Sequence, residues 1–153
     1  MTGPEDPYFY LDACATAPLR ESVISCMVRA QQDGWGNPSS LHRIGCDAAE
    51  SLERARLSIS ASLGAERSDI LFSSGATESA HLALLGLAKT QSPGRLVISA
   101  VEHPAVAAAA HQLVACGWTV ERWPVDAYGQ IQMQHLDRLL QPPTKIVSLI
   151  WGQ

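Results

Sequence analysis

The chain has 153 residues, of which 46% are hydrophobic, and a formal net charge of −4 from 11 Lys and Arg against 15 Asp and Glu. This apolar fraction suits a globular domain and is too high for a disordered acidic tail. We find no run of about 18 apolar residues and no apolar stretch near Met1, so we expect neither a membrane span nor a secretory signal. The shortage of basic residues argues against nucleic acid as the main partner.

The cysteine spacing indicates free thiols. The sequence has no C-x-x-C pair and no zinc-ribbon pattern among its four cysteines, Cys14, Cys26, Cys46 and Cys116. We therefore expect a reducing, cytoplasmic compartment. His42 and Cys46 could share a helix face, but no further ligands stand at suitable spacing, so no metal site is predicted.

The first part of the chain reads as an arm followed by two helices. Residues 1–17 are predicted as an N-terminal arm, with a short β-prone run at Tyr8–Leu11. Residues 18–64 are predicted to hold a helix over Leu19–Gln32, a loop rich in Gly and Pro, and a second helix. Asp47, with Glu50 three residues later, is expected to cap that helix, and Gly64 to close it in the left-handed conformation. Its predicted apolar face consists of Ala48, Leu52, Ala55, Ile59 and Leu63.

Residues 65–153 show alternating strand and helix patterns. This alternation predicts an α/β fold with a mostly parallel sheet and flanking helices. The last strand looks fully buried, and because parallel sheets bind ligands beyond their carboxyl ends, we expect that the chain is a truncation or a fragment. The predicted elements are strand Asp69–Ser73, helix Ala76–Lys89, strand Arg95–Ala100, helix Pro104–Cys116, strand Trp118–Val125, helix Met133–Leu140 and strand Lys145–Trp151.

Two motifs stand where predicted strands end. Ser73–Glu78 joins a strand to a helix, and a helix start attracts anions through its unpaired N–H groups. Gly75 allows a close approach to the backbone there, and the Thr77 hydroxyl can donate to a phosphate oxygen. His103, held extended by Pro104, is expected at the same edge of the sheet, where it can stack on a flat ring or move a proton. The alternatives are a capped helix after a turn at Gly75 and a capping or surface histidine at His103.

A third motif, Gly36–His42, reads either as an ordinary surface loop or as an active-site or interface loop.

Together these strings resemble the cysteine desulfurase branch of the class V, fold-type I pyridoxal-phosphate enzymes. The resemblance covers nearly the whole chain and has five motifs in the family's order. They are Tyr10–Pro18 (YLDACATAP, usually YLD-x-x-ATTP), Gly36–His42 (GNPSSLH), Ser74–Glu78 (SGATE), Glu102–Val106 (EHPAV) and Val125–Gly129 (VDAYG).

The resemblance implies a partial fold-type I cofactor-binding domain and roles for the matched residues. Gly75, Ala76 and Thr77 would bind the phosphate of pyridoxal 5′-phosphate, and His103 would stack on its ring and assist proton transfer. The implied reaction takes sulfur from L-cysteine, leaves L-alanine, and passes the sulfur to an acceptor protein for iron–sulfur cluster or thio-cofactor assembly. The family is usually a homodimer, to whose sites the early loops contribute.

The resemblance also places three functional residues of the family beyond Gln153. These are the Schiff-base lysine, the aspartate that pairs with the pyridinium nitrogen, and the catalytic cysteine. Lys89 and Lys145 do not match the lysine motif, so we expect that this chain alone forms no Schiff base with the cofactor and is inactive. Alternatives are another class V enzyme, such as a selenocysteine lyase or an aminotransferase, and a non-catalytic fragment that binds an intact partner.

Overall fold

The computed structural model describes residues 9–152. They form two compact units, which divide between Leu71 and Phe72. No helix in this range has the length and apolarity needed to cross a membrane. The predicted division of the chain into residues 1–17, 18–64 and 65–153 stays a prediction.

The first unit contains two helices, α1 (Glu21–Asp33) and α2 (Arg43–Leu63). The predicted start of α2 at Asp47 is wrong, because the His42 side chain accepts a hydrogen bond from the Gly45 N–H and starts the helix earlier. Gly64 closes α2 with a φ of 65°, which confirms the left-handed position. Of the predicted apolar face only Ala48 is buried, while 69% of Leu63 is exposed.

Two short strands predicted in this part of the chain are absent from the described residues. Residues 9–11 are irregular, and Tyr8 lies outside the described range. The strand predicted at Asp69–Ser73 is also wrong, since a 3₁₀ turn occupies Arg67–Asp69 and residues 70–73 are irregular. Glu66 and Asp69 form a capping box at that turn, and the Arg56 guanidinium donates to the Ile70 carbonyl, so this segment is bonded without a strand neighbour.

The second unit is an α/β unit with a three-stranded parallel sheet in the order β2-β1-β3. This arrangement confirms the predicted fold class. The segment predicted as one helix, Met133–Leu140, is divided into a 3₁₀ turn and a short α-helix. The elements are α3 (Ala76–Lys89), β1 (Arg95–Ser99), α4 (Pro104–Ala115), β2 (Thr119–Trp123), a 3₁₀ turn (Met133–His135), α5 (Leu136–Leu140) and β3 (Thr144–Ser148).

The central strand β1 is covered on both faces. Leu96 and Ile98 belong to an apolar cluster with residues of α3 and α4, whereas Val97 packs with Trp123 and Leu139 on the other face. A strand buried on both sides reads as a continuous apolar run, which is why β1 is recognisable in the sequence. The prediction that the last strand is fully buried is wrong. Ile146 is the only buried residue of β3, and 40% of Val147 is exposed.

Candidate functional site

The first part of the candidate site is the start of α3. Gly75 is the N-cap residue and supplies no side-chain cap, so the N–H groups of Ala76 and Thr77 begin the helix with no helical carbonyl to receive them. A Cβ atom built on Gly75 meets nothing within 4 Å, so the space above this backbone is open. The helix start therefore presents its donors and the positive end of its dipole to an accessible surface.

Side chains around this helix start hold its conformation. The Ser74 N–H and hydroxyl both donate to Oε2 of Glu78, each over 2.6 Å. The Ser74 hydroxyl bond, followed by the Ser74 backbone bond, lowers the pKa of Glu78. Ser73 Oγ donates to the Gly75 carbonyl over 3.1 Å. These bonds organise the turn and leave the Thr77 side chain exposed.

The second part is His103, the N-cap residue of α4. Its ψ of 142° is extended, as Pro104 predicts, and its Nδ1 accepts from the Ala105 N–H over 3.1 Å. His103 therefore caps α4, which is one of the two alternatives that the sequence left open. The ring is exposed, so Nε2 and the ring faces stay accessible while Nδ1 caps the helix.

The topology brings both parts to one edge of the sheet. Five residues separate the end of α3 from β1, and three separate the end of α4 from β2. Because α4 connects the parallel strands β1 and β2, it runs opposite to them, and α3, which packs beside α4, is turned back into β1 by a short loop in the same way. Their first residues, including Thr77 and His103, consequently lie at the carboxyl edge, where parallel sheets bind ligands.

Two residues at this edge were missed by the sequence analysis. Ser99 ends β1 and Glu102 precedes His103, and the atoms Ser99 Oγ and Glu102 Oε1 are buried without a hydrogen-bond partner in the described part of the chain. Buried oxygens are normally bonded, so this edge has unused bonding capacity. The only signal in the sequence is the position of Glu102 beside His103.

The remaining motifs form ordered turns. In the second unit, Asp126 Oδ1 accepts from the N–H groups of Tyr128 and Gln130, at 2.8 and 2.9 Å, and Gly129 adopts a φ of 80°. In the first unit, the Gly36–His42 loop turns at Asn37, whose Oδ1 accepts from the Ser39 N–H over 2.9 Å. Within residues 9–152, no three His, Cys, Asp or Glu side chains are grouped as metal ligands.

A separate cleft of about 400 Å³ lies at the opposite end of α3 and α4. Lys89, Cys116 and Trp118 are among its lining residues. Lys89 ends α3, Cys116 follows α4 and Trp118 precedes β2, which places the cleft at the amino edge of the sheet. It is therefore not part of the candidate site, and ligand chemistry is better supported at the carboxyl edge.

Sequence comparison supports the motif-based resemblance. The family described as Aminotransferase class-V matches residues 9–153. "Cysteine desulfurase NifS" of Azotobacter vinelandii is 39% identical over 145 residues, 94% of this chain and 36% of that protein. "Cysteine desulfurase IscS 1" of Archaeoglobus fulgidus is 37% identical, over 94% of this chain and 37% of that protein. The chain thus spans little more than a third of the length of these relatives.

Solved structures show the same fold. A structure titled "NIFS-LIKE PROTEIN" matches with a TM-score of 0.82 and 31% identity, covering 88% of this chain and 38% of that one. "SspA in complex with cysteine" also has a TM-score of 0.82, with 32% identity, covering 92% of this chain and 41% of that one. These matches confirm the resemblance to cysteine desulfurases, and the chain belongs to the class V aminotransferase family.

Proposed function

We propose that this chain is the amino-terminal part of a pyridoxal-phosphate-dependent cysteine desulfurase. The proposed reaction converts L-cysteine to L-alanine and transfers the sulfur to an acceptor protein. The observation that carries the proposal is that an open helix start at Gly75–Thr77 and the exposed ring of His103 lie at the same edge of a parallel sheet. The relatives named cysteine desulfurase and the similar structure solved with cysteine support this substrate class.

The residues of the candidate site fit the cofactor. The backbone at Gly75 and Ala76 and the Thr77 hydroxyl would hold the phosphate, because open N–H groups at a helix start favour an anion. The exposed ring of His103 would stack on the pyridine ring. When bound, pyridoxal phosphate supplies the electron sink for bond cleavage next to the amino group. The chain's own residues would anchor and orient it.

We propose a homodimer and a cytoplasmic location for the whole protein. Exposed apolar side chains on α1, at Val23, Ile24, Met27 and Val28, support the presence of a covering partner. The four cysteines are free and exposed, which suits a reducing compartment. We propose no role for nucleic acid or a membrane.

Thr77→Val tests the phosphate site. The substitution removes the hydroxyl donor and keeps the side-chain shape, so we expect pyridoxal 5′-phosphate to bind the chain about 10-fold or more weakly, as for loss of a hydrogen bond to a charged group. Isothermal titration calorimetry measures the affinity, with unphosphorylated pyridoxal as the second ligand.

Thr90→Val is the matched control, since Thr90 lies at the other end of α3 and donates to the Leu87 carbonyl. It should leave cofactor affinity unchanged. Equal affinity of the Thr77→Val variant and the unaltered chain, or equal binding of pyridoxal with and without phosphate, would contradict the proposed site.

A further inference from the structure

The hydrogen bond at the start of α4 determines which nitrogen of His103 carries the proton. Nδ1 of His103 lies 3.1 Å from the Ala105 backbone nitrogen, whose N–H can only donate. Nδ1 must therefore present its lone pair. A neutral imidazole has one N–H, so in this arrangement it is on Nε2.

The surrounding backbone holds this arrangement in place. Pro104 occupies the first helical position, and the His103 carbonyl accepts from the Val106 N–H over 2.9 Å. Ala105 is buried, with 8% of its surface exposed. Moving the ring away would leave the Ala105 N–H without its acceptor at a buried position, which is unfavourable.

We propose that the Ala105 N–H is a positioning group that keeps neutral His103 in the Nε2–H tautomer. His103 then offers a proton or a hydrogen bond from Nε2 at the carboxyl edge of the sheet. Neutral His103 could accept a proton at Nε2 only in the Nδ1–H tautomer. In that tautomer the Nδ1–H would face the Ala105 N–H, and two donors would oppose each other. The identity of the group that receives the Nε2 proton rests on the proposed function, whereas the tautomer does not.

His81 provides the opposite case on the neighbouring helix. Its Nδ1 lies 2.9 Å from the Thr77 carbonyl oxygen, which can only accept. Neutral His81 consequently carries its proton on Nδ1 and presents a lone pair at Nε2. The structure thus assigns opposite tautomers to two histidines, one on α4 and one on α3.

Two-bond ¹H–¹⁵N spectra of the uniformly ¹⁵N-labelled full chain test the assignment. The spectra are recorded without any cofactor, at a pH raised until the histidine signals no longer change. We expect the Nε2–H pattern for His103 and the Nδ1–H pattern for His81. A scalar coupling across the hydrogen bond between the Ala105 nitrogen and Nδ1 of His103 is also expected. Spectra of His103→Gln and His81→Gln variants assign the signals.

Ala105→Pro removes the donor, and Ala105→Ser is the control that keeps it. The proline variant should lower the ratio of Nε2–H to Nδ1–H in His103 about tenfold, as for loss of an ordinary hydrogen bond, and leave His81 unchanged. The serine variant should keep the original ratio.

A proton on Nδ1 of His103 in the unaltered chain would overturn the proposal. So would an unchanged ratio in an Ala105→Pro variant whose backbone amide shifts show an intact α4. If that variant does not fold, the coupling in the unaltered chain decides, and its absence overturns the proposal. Because no cofactor is added, failure here is distinct from failure of the proposed function.

Discussion

Glu78 shows how one side chain can stabilise a helix start beside a binding surface. Its carboxylate accepts hydrogen bonds from both the N–H and the hydroxyl of Ser74. The turn is therefore bonded although the N-cap residue, Gly75, has no side chain to cap the helix. Carboxylates are favoured in the first turn because they face the positive end of the helix dipole. The turn before α3 is thereby held in shape, while the backbone at Ala76 and Thr77 remains available to an anion.

Replacing Glu78 by Gln should make the stability of the chain less dependent on pH. The bonds from Ser74 lower the pKa of Glu78 in the folded state. A lowered pKa stabilises the fold above the ordinary glutamate value of about 4.3, and this benefit is lost as the pH falls through the lowered value. Urea unfolding at pH 7 should thus show the unaltered chain to be more stable than Glu78→Gln.

The same pair of proteins should be equally stable at a pH below the folded-state pKa of Glu78. A stability difference of the same size at both pH values would show that the carboxylate charge is not the cause.

At the scale of elements, the loop before α2 depends on close backbone contacts. A Cβ atom on Gly45 would lie 2.4 Å from the Ser40 carbonyl oxygen, and one on Gly36 would lie 2.4 Å from the Ile44 carbonyl oxygen. The Gly36–His42 motif is therefore folded onto the first turn of α2. These two glycines have a packing reason to be glycine, whatever the loop does in the whole protein.

Gly45→Ala should lower the free energy of unfolding by about 1–3 kcal/mol, because the added methyl group collides with backbone. Gly86→Ala is the control in the interior of α3, where a Cβ atom meets nothing within 4 Å. It should raise stability by about 0.5–1 kcal/mol through helix propensity. Chemical denaturation measures both, and a neutral Gly45→Ala would contradict the close packing.

Arg95 connects the elements at the amino edge of the sheet. Its Nε donates to Thr144 Oγ1 over 2.6 Å, one terminal nitrogen to Glu121 over 3.1 Å, and the other to the Gln141 carbonyl over 2.8 Å. The hydrogen bond from Arg138, aided by the charges of Arg138 and Arg95, lowers the pKa of Glu121. One half-buried guanidinium thus ties β1 to β2, to the start of β3, and to the residue after α5.

Arg95→Met should cost about 2 kcal/mol of stability, because it removes the hydrogen bonds by which the guanidinium joins Thr144, Glu121 and the Gln141 carbonyl. Arg122→Met, at an exposed position on β2, should change stability by less than about 0.5 kcal/mol. Thermal or urea unfolding distinguishes the two variants. Similar losses in both would show that the connections of Arg95 contribute nothing specific.

For the whole molecule, the positions of the two lysines matter most. Lys89 ends α3, about 20 Å along the helix axis from the Gly75–Thr77 start. Lys145 lies near the start of β3, and its Nζ donates to the carbonyl and hydroxyl oxygens of Ser92, over 2.8 and 2.6 Å. Both lysines therefore belong to the amino edge of the sheet, opposite the candidate site.

We accordingly expect that borohydride reduction of the chain mixed with equimolar pyridoxal phosphate traps no stoichiometric adduct at one lysine. Peptide mass spectrometry measures the occupancy of each lysine, and Lys89→Arg and Lys145→Arg variants serve as controls. A single, fully occupied lysine in the unaltered chain would show that a lysine reaches the bound cofactor.

Local patterns in the sequence were sufficient for the elements that carry the site. Helix α3 has the predicted bounds, Ala76–Lys89, and Pro104 begins α4 as expected. Gly64 and the apolar run of β1 were equally readable. Each of these features depends on nearby residues: helical spacing, a proline in the first turn, a glycine at a helix end. The alternation of strands and helices then indicated a parallel sheet, and the motifs indicated the family.

What the sequence could not supply depends on contacts between distant residues. The segment after Asp69 has strand propensity, but Arg56 bonds the Ile70 carbonyl and no strand forms there. The His42 cap replaced the expected Asp47 cap because the imidazole reaches Gly45. The strand order and the acceptor role of His103 Nδ1 were likewise decided by tertiary structure, as was the lack of a partner, among residues 9–152, for the buried oxygens of Ser99 and Glu102. Propensity and spacing act along the chain, whereas hydrogen-bond partners and burial are set by which segments meet in space.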